Sequence, residues 1–279
     1  MNLLQAVVFA ILQGATELFP VSSLGHAVVL PALLGWNIDQ QSPLFLPFLV
    51  MLHAGTAAAL LIYFWRDWWT LFRGVIGMDT PHQVGESRRV TVLIIVATIP
   101  AVILGFLLEH FFRSLFGSPV VAASFLMVNA VILAGGEALR KMAGYRTLSS
   151  MTAKDAVLIG FWQCLALIPG ISRSGSTMVG GLLRGINHAG AAHFSFLIAT
   201  PIIIGATVLE VPKLLKAGVP HEVLMLSSLA AVLAAVTAYL STAFLMRYFR
   251  NHDQMALNPF AYYCFFFGLG SLALLLFVF

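Results

Sequence analysis

The sequence between residues 3 and 34 is apolar except at one break, which reads Phe19-Pro20-Val21-Ser22-Ser23. As a helix, residues 3–18 would span about 24 Å at 1.5 Å per residue, which is less than the hydrocarbon core of about 30 Å. Pro20 cannot continue that helix normally, because its ring removes an N–H and clashes with the preceding turn. We therefore predict a hairpin of two half-helices that enters and leaves the membrane on one side.

A second apolar region, residues 153–187, contains a similar break, which reads Pro169-Gly170-Ile171-Ser172-Arg173-Ser174-Gly175. Its two halves are also too short to cross a bilayer separately. Irregular backbone is tolerated at membrane depth only where protein buries it or a water-filled cavity receives it. The two breaks are therefore predicted to face each other inside a helical bundle.

The composition explains why a membrane is involved. Of the 279 residues, 60% are hydrophobic and only 9% are charged, against about 25% charged residues in a typical soluble domain. Six further stretches are apolar and long enough for a span, which takes about 20 residues. They are residues 44–65, 91–112, 119–139, 191–210, 223–247 and 256–278. We predict an all-α integral membrane protein with six transmembrane helices and two re-entrant helical hairpins.

The basic residues predict the orientation of the bundle. The net charge is only +4, and no groove-reading or base-stacking motif suggests a nucleic acid partner. The larger basic group follows the first, third and fifth spans, and it comprises Arg66, Arg73, Arg88, Arg89, Arg140, Lys141, Arg146, Lys154, Arg247 and Arg250. The opposite loops hold Arg113, Lys213 and Lys216. The positive-inside rule puts the larger group in the cytoplasm and both termini outside. The first residues carry no basic region, so we expect no removable signal peptide.

An internal repeat at an offset of 150 residues suggests how the bundle is built. The matching pairs are Gln13 and Gln163, Ser22 and Ser172, Gly25 and Gly175, Leu33 and Leu183, Gly35 and Gly185, and Gly55 and Gly205. Three spans separate the two broken hairpins, so the copies should be inverted in the membrane. We predict one membrane domain, residues 1–279, with inverted repeats over approximately 1–139 and 151–279. Such repeats place their binding site near the midplane, between the copies.

Several side chains of the first hairpin could carry chemistry. Gln13 and Glu17 are four residues apart and share a helix face. Ser22 or Ser23 should cap the next half-helix, and His26 lies within about its first turn. Ionisable groups inside a membrane segment are costly and usually functional. The alternative interpretation is that Glu17 snorkels from a helix end and that the serines only cap.

The second hairpin predicts a site for an anion. The segment Ser172-Arg173-Ser174-Gly175-Ser176-Thr177 lies at the start of a half-helix, where free N–H groups and a partial positive charge attract anions. Arg173 adds a planar fork that suits phosphate oxygens. The alternative is a turn whose arginine pairs with Glu17 for structural reasons only.

Other polar residues carry weaker signals. His53 lies inside a span and is expected to be an interhelical hydrogen-bonding residue. Glu137 is at the end of a span, where snorkelling is the usual explanation, and His188 lies in or near a loop. Cys164 and Cys264 have no metal-ligand spacing and do not form a disulfide framework.

The two breaks resemble the signatures of a known family. The first resembles Glu/Gln-x-x-x-Glu followed by Phe-x-Pro-x-Ser-Ser-x-Gly-His, and the second resembles Pro-Gly-x-Ser-Arg-Ser-x-x-Thr. Both are signatures of the bacterial undecaprenyl-diphosphatase family, also called bacitracin resistance proteins. The length and the number of spans agree, so the resemblance covers essentially the whole chain. One departure is Gln13, where many members have Glu, which removes a charge and a potential metal ligand.

The resemblance implies a role for each matching residue. The catalytic residues would be Glu17, Ser23, His26 and Arg173. The substrate-binding residues would be Gln13, Ser22, Ser172, Ser174, Gly175 and Thr177. A divalent cation, Mg²⁺ or Ca²⁺, would be the cofactor, and Glu17 is its candidate ligand.

The resemblance also implies an activity and a location. Family members hydrolyse undecaprenyl diphosphate to undecaprenyl phosphate and inorganic phosphate, which recycles the lipid carrier for peptidoglycan synthesis and relates them to bacitracin resistance. The protein would lie in the bacterial inner membrane, with its active site opening to the periplasm. Its partners would be the lipid-linked pyrophosphate and the bilayer. The oligomeric state stays undecided between a homodimer and a monomer.

Two questions stay open at the level of sequence. The nucleophile is either Ser23, activated by His26 or Glu17, or a water molecule activated by the same groups. The function could also be transport of the lipid monophosphate, because inverted repeats with facing broken helices are a transporter architecture. A purely structural membrane protein is a weaker alternative, since a buried arginine and glutamate argue against it.

Overall fold

The computed structural model of the protein describes residues 2–36, 38, 45–108, 111, 115, 117–140, 146–216 and 221–278. These residues form eleven α-helices with short 3₁₀ turns, and the only β-type pairing among them is an isolated bridge between Arg146 and Ile186. The helices are α1 (Leu3–Thr16), α2 (Ser23–Leu33), α3 (Phe45–Tyr63), α4 (Trp65–Val75), α5 (Pro81–Leu107), α6 (Pro119–Leu139), α7 (Ala153–Cys164), α8 (Arg173–Leu183), α9 (His188–Lys216), α10 (His221–Asn251) and α11 (Asn258–Phe277). The predicted all-α class is confirmed.

Five helices are long and apolar enough to cross a membrane, namely α5, α6, α9, α10 and α11. The sixth predicted span, residues 44–65, corresponds to α3, and residue 44 lies outside the described part of the chain. Helix α3 passes the same test only together with α4, from which it is bent by 73°. The chain is therefore a multi-pass membrane protein of several apolar helices.

The predicted cytoplasmic loop after α3 is largely helical. Helix α4 exposes Trp65, Trp69 and Phe72, while Arg66 lies over the ring of Trp65 at 5.6 Å from its centroid. Aromatic side chains with a neighbouring arginine are typical of a helix that lies in the membrane interface. The hydropathy pattern missed this helix because it detects only segments that are apolar on every side.

Two helices also extend beyond the apolar stretches that predict them. Helix α5 begins at Pro81, ten residues before the predicted span, where Thr80 and Gln83 form a capping box. Helix α10 continues to Asn251 and so carries both arginines that follow the fifth apolar stretch. A helix can continue past the hydrocarbon because water solvates its charged residues there. Arg113 and Lys141 lie outside the described residues, as do parts of the predicted loop 113–118.

The two broken regions form matching pairs of short helices. Helices α2 and α8 each contain 11 residues, and their bounds differ by 150 positions. The Ser22 hydroxyl accepts a hydrogen bond from the Gly25 N–H at 3.2 Å, and the Ser172 hydroxyl accepts one from the Gly175 N–H at 3.2 Å. Ser22, rather than Ser23, is therefore the cap of α2.

The tips of the two hairpins touch, as the sequence predicts. A Cβ atom at Gly25 would lie 3.0 Å from the Cα atom of Gly170, so the absence of a side chain at Gly25 favours this close approach. The Asn129 side chain on α6 bridges the hairpins: its amide donates to the Pro20 carbonyl at 3.0 Å, and its oxygen accepts from the Ser172 N–H at 3.0 Å. Because Asn129 is fully buried, both hydrogen bonds are shielded from competing water.

The first half of each hairpin packs on a long helix from the other half of the chain. Helix α1 packs against α10, and helix α7 packs against α5. Glycine permits the close contact in both places: a Cβ at Gly14 would lie 2.4 Å from the Ala234 carbonyl oxygen, and one at Gly160 would lie 2.7 Å from that of Ala97. Small residues at helix interfaces are the usual means of close packing in membranes.

Candidate active site

Glu17 is the centre of a buried polar cluster at the end of α1. Its Oε1 atom lies 3.2 Å from Nη2 of Arg173. Its Oε2 atom accepts hydrogen bonds from the Ser23 hydroxyl at 2.6 Å and the Gln13 amide at 3.0 Å. The same Oε2 atom lies 3.3 Å from Nε2 of His53. The expected meeting of Glu17 and Arg173 is confirmed, although they are 156 positions apart in the chain.

Local backbone geometry brings the first-hairpin residues together. Gln13 and Glu17 share a face of the last turn of α1, and the chain then reverses so that Ser23 begins α2. The reversal needs Ser22 to adopt a φ angle of 68°. Such a conformation costs a non-glycine residue on the order of 1–3 kcal/mol, and it is usually retained at functional sites.

His53 joins this cluster from α3, and sequence reasoning did not place it there. Its Nδ1 atom lies 2.7 Å from the Leu49 carbonyl oxygen, which can only accept, so Nδ1 carries a proton. That hydrogen bond turns Nε2 towards Glu17. The available signal was an ionisable side chain inside an apolar span.

Arg173 is the first residue of α8 and links the two hairpins to α9. One guanidinium nitrogen contacts Glu17, and the other donates to the Ser195 carbonyl at 3.2 Å. The Thr177 hydroxyl lies 2.7 Å from that of Ser195 and donates to the Arg173 carbonyl at 2.8 Å. Ser195 was not predicted, because a single serine in an apolar helix gives no functional signal.

The other hydroxyls that were predicted to bind phosphate make hydrogen bonds to groups of the protein itself. The Ser172 and Ser174 hydroxyls lie 3.0 Å apart, and both donate to the Phe19 carbonyl of the opposite hairpin. Ser22 and the Gly175 N–H take part in the two helix caps. These groups join the hairpins to each other, and their contact with a substrate stays a prediction.

His26 is buried where α2 packs against α11. Its Nδ1 atom lies 2.7 Å from the Ser22 carbonyl, so Nδ1 is the donor, and its Nε2 atom lies 2.8 Å from the Tyr263 hydroxyl. The imidazole ring is nearly parallel to the rings of Tyr263 and Phe267, with centroid distances of 5.6 and 4.7 Å. His26 therefore does not make the expected contact with Ser23, whose hydrogen-bond partner is Glu17.

This arrangement can generate and stabilise an oxygen nucleophile. A carboxylate oxygen 2.6 Å from the Ser23 hydroxyl can take its proton. The guanidinium beside it offers a planar set of N–H donors for phosphate oxygens. Both charged groups are mostly buried, with side-chain exposures of 7% for Glu17 and 12% for Arg173, so their electrostatic effects are stronger than in water.

Comparison with known proteins agrees with this chemistry. The family model described as "Bacitracin resistance protein BacA" matches residues 6–270. The chain belongs to the BacA family. Three relatives are named undecaprenyl-diphosphatase. That of Granulibacter bethesdensis is 63% identical over 98% of this chain and 97% of its own length. The relative from Acidiphilium cryptum is 56% identical over 99% of each chain. The relative from Gluconobacter oxydans is 49% identical over 99% of this chain and 100% of its own length.

The resemblance implies a divalent cation, and the side chains around Glu17 show whether the site could hold one. Within the described ranges, no three His, Cys, Asp or Glu side chains converge on a point that could hold a metal ion. Glu17 supplies one carboxylate, while the Gln13 amide turns its nitrogen towards that carboxylate. Mg²⁺ is commonly bound through one or two carboxylates together with substrate phosphates. The residues present therefore fit a cation that binds with the substrate.

Proposed function

We propose that the protein is an undecaprenyl-diphosphate phosphatase. It hydrolyses undecaprenyl diphosphate to undecaprenyl phosphate and inorganic phosphate, and so recycles the lipid carrier of cell-wall synthesis. The observation that carries this proposal is the contact of one buried carboxylate with both the Ser23 hydroxyl and the Arg173 guanidinium. The names of the relatives support the same activity, and they do not favour the alternative of a transporter for the lipid monophosphate.

In the first step, the Ser23 hydroxyl is the nucleophile and Glu17 is the base. Glu17 takes the hydroxyl proton while the Ser23 oxygen attacks the terminal phosphorus, and the bond from that phosphorus to the bridging oxygen breaks. Undecaprenyl phosphate leaves and takes the proton from Glu17. Arg173 stabilises the negative charge of the transferred phosphoryl group, which is the main requirement of phosphoryl transfer.

In the second step, water releases the phosphate from Ser23. A water molecule attacks the phosphorus and gives its proton to Glu17, the bond between phosphorus and the Ser23 oxygen breaks, and Glu17 returns the proton to that oxygen. Glu17 thus works as base and acid in turn. We choose this route over direct attack by water because the Ser23 hydroxyl is already hydrogen-bonded to the carboxylate at 2.6 Å.

His26 has a different place in this proposal. Its ring nitrogens are bonded to the Ser22 carbonyl and the Tyr263 hydroxyl, so it does not take the Ser23 proton. We assign it to the wall of the substrate site, where the Tyr263 hydroxyl is the nearest group that it can orient.

A divalent cation, Mg²⁺ or Ca²⁺, is proposed to bind through Glu17 together with the pyrophosphate. When bound, it would neutralise charge on the phosphates. Arg173 would then shift part of its contact from Glu17 to the substrate, which keeps both charges of the site paired.

We further propose the finer topology predicted from sequence: six spans, counting α3 as the first, and two re-entrant hairpins in inverted repeats. The identical lengths and caps of α2 and α8 support the repeat. So does the parallel between α1 packed on α10 and α7 packed on α5. The active site would open to the periplasmic side of the bacterial inner membrane, as the resemblance to the family implies, and the distribution of arginines would place both termini on that same side.

The decisive experiment measures phosphate release by the purified protein in detergent. The substrates are isoprenyl diphosphates from C15 to C55, with Mg²⁺ or Ca²⁺ added, and the Glu17→Gln variant is the control. Release by the wild type alone is expected. A wild-type protein that releases no phosphate from any of these substrates would be incompatible with the proposal.

A further inference from the structure

A second cavity lies at the end of the bundle that carries most arginines. It has a volume of about 360 Å³ and lies where the end of α3 meets the beginning of α9 and the last turns of α10. Its lining residues are Tyr63, Ala189, Ala243, Met246, Arg247 and Arg250.

This cavity is separate from the site around Glu17. His53, which contacts Glu17, and Tyr63, which lines the cavity, are ten residues apart on α3. At 1.5 Å per residue, that separation is about 15 Å along the helix axis. A ligand phosphate at one place therefore does not reach the other.

The charge of the cavity is positive and not neutralised. Arg247 and Arg250 are three positions apart on α10, so they lie on the same face. Within the described part of the chain, no carboxylate lies within 4.0 Å of either guanidinium. By contrast, Arg140 and Arg146 at the same end pair with Asp253 and Asp155. The positive-inside rule explains why arginines are at this end, but it does not require two of them to line one cavity.

The remaining walls suit a phosphate that is attached to hydrocarbon. The Tyr63 hydroxyl is a further hydrogen-bond donor, while Ala189, Ala243 and Met246 are apolar. The preceding turns of α10 expose Leu240 and Phe244, with exposures of 62% and 56%, as expected for a surface in contact with lipid. The cavity is therefore adjacent to acyl chains on one side and to the polar membrane surface on the other.

We propose that this cavity binds the phosphate group of an anionic phospholipid from the leaflet at this end of the bundle. The two guanidinium groups donate charge-assisted hydrogen bonds to the phosphate oxygens, and the Tyr63 hydroxyl donates another. The apolar walls contact the first carbons of the lipid. The site is independent of the phosphatase reaction, so the two can be tested separately.

Native mass spectrometry of the purified protein in detergent tests the proposal. The probes are phosphatidylglycerol, zwitterionic phosphatidylethanolamine and inorganic phosphate. Phosphatidylglycerol is expected to bind best, and inorganic phosphate is expected not to displace it at equal concentration. Displacement of the lipid by inorganic phosphate would mean that the cavity recognises free phosphate. Equal binding of both lipids would mean that the arginines do not select the anionic lipid. Either result overturns the proposal.

Three variants locate the site. Arg247→Gln with Arg250→Gln removes the donors, Ala243→Leu fills the cavity without changing charge, and Arg88→Gln removes one exposed arginine elsewhere at the same end. The first two should weaken phosphatidylglycerol binding by about tenfold or more, as the loss of charge-assisted hydrogen bonds or of space predicts. The third should leave binding unchanged.

The pattern of results decides between the cavity and general charge. Retained phosphatidylglycerol binding in Ala243→Leu would mean that surface charge alone attracts the lipid. That result overturns the proposal that the cavity is the binding site, even if the double variant does not fold. Phosphate release from C15 diphosphate should stay near the wild-type rate in all three variants. This readout reports folding and keeps the result distinct from any failure of the proposed phosphatase activity.

Discussion

The Ser23 hydroxyl donates a 2.6 Å hydrogen bond to Glu17, although the two residues lie on opposite sides of a chain reversal. The strained backbone of Ser22 makes this contact, since a regular helix would carry Ser23 away from Glu17. The proposed nucleophile and its proposed base are therefore in contact before any substrate arrives. Preorganisation of this kind lowers the cost of reaching the transition state.

Replacing Ser23 by Ala should remove the nucleophile. We expect kcat for phosphate release to fall by about 10³-fold or more, with a smaller change in KM. Acid quenching of the wild type with substrate labelled on the terminal phosphate should trap labelled phosphoserine, and the variant should trap none. A variant that keeps more than about a tenth of wild-type kcat would instead indicate direct attack by water.

The identity of the base can be tested by comparing two substitutions. Glu17→Gln should lower kcat by about 10³-fold and His26→Gln by about tenfold, because a general base typically contributes 10²–10⁴-fold and only Glu17 contacts Ser23. The same phosphate-release assay measures both. The reverse order of effects would make His26 the base and would require its side chain to leave Tyr263.

Arg173→Lys should lose most activity while the protein still folds. A lysine keeps the charge, but it loses the planar pair of nitrogens that separately contact Glu17 and the Ser195 carbonyl. We expect kcat/KM to decrease by about 10²-fold, typical of losing a donor to developing charge. Arg184→Lys is the matched control, because Arg184 pairs with Asp155 outside the site. Near-normal turnover of Arg173→Lys would show that the bidentate geometry is unimportant.

Asn129→Ala should destabilise the fold. The substitution leaves the Pro20 carbonyl and the Ser172 N–H buried without their partner. Each of these two unsatisfied groups costs about 1–3 kcal/mol, so we expect the free energy of unfolding in mixed micelles to fall by about 2–6 kcal/mol. Asn251→Ala at the exposed end of α10 serves as the control. Equal stability of the two variants would mean that water replaces the lost bonds.

The orientation of the bundle can be measured by cysteine labelling in intact cells. The starting chain has both Cys164 and Cys264 replaced by Ala. An impermeant reagent should label Gly117→Cys without permeabilisation and Gly85→Cys only after it, because the arginines predict opposite sides for these positions. If only Gly85→Cys were labelled in intact cells, the orientation of the bundle would be the reverse of the predicted one.

Much of this architecture could be predicted because the breaks carry strong local signals. Pro20 and the capping serines mark where the half-helices end and begin, and the pairing of Glu17 with Arg173 follows from the cost of burying either charge alone. The helical interface segment α4 was missed, since its apolar residues are periodic and not continuous. The contacts of His53, Ser195 and Asn129 were also missed, because they depend on helix packing between distant parts of the chain.

The direction of the His26 side chain could not be predicted for a related reason. Sequence spacing places His26 three positions after Ser23 on α2, which is compatible with a shared helix face, but it does not determine what the imidazole contacts. The aromatic residues Tyr263 and Phe267, near the other end of the chain, determine where the imidazole packs. Which of two nearby groups becomes the base is thus decided by tertiary contacts.

The bridge that Asn129 makes between the two hairpin tips also constrains biosynthesis. The ribosome completes Glu17 long before it reaches Arg173, so the first hairpin enters the membrane without its counter-charge and without its locking partner. A chain that stalls before α8 already has Gln13, Ser23 and His53 to contact the Glu17 carboxylate, but it has no guanidinium there. Completion of the second hairpin adds both the Arg173 guanidinium at Glu17 and the Ser172 N–H that donates to Asn129, so the polar cluster and the link between the hairpins are completed in the same step of synthesis.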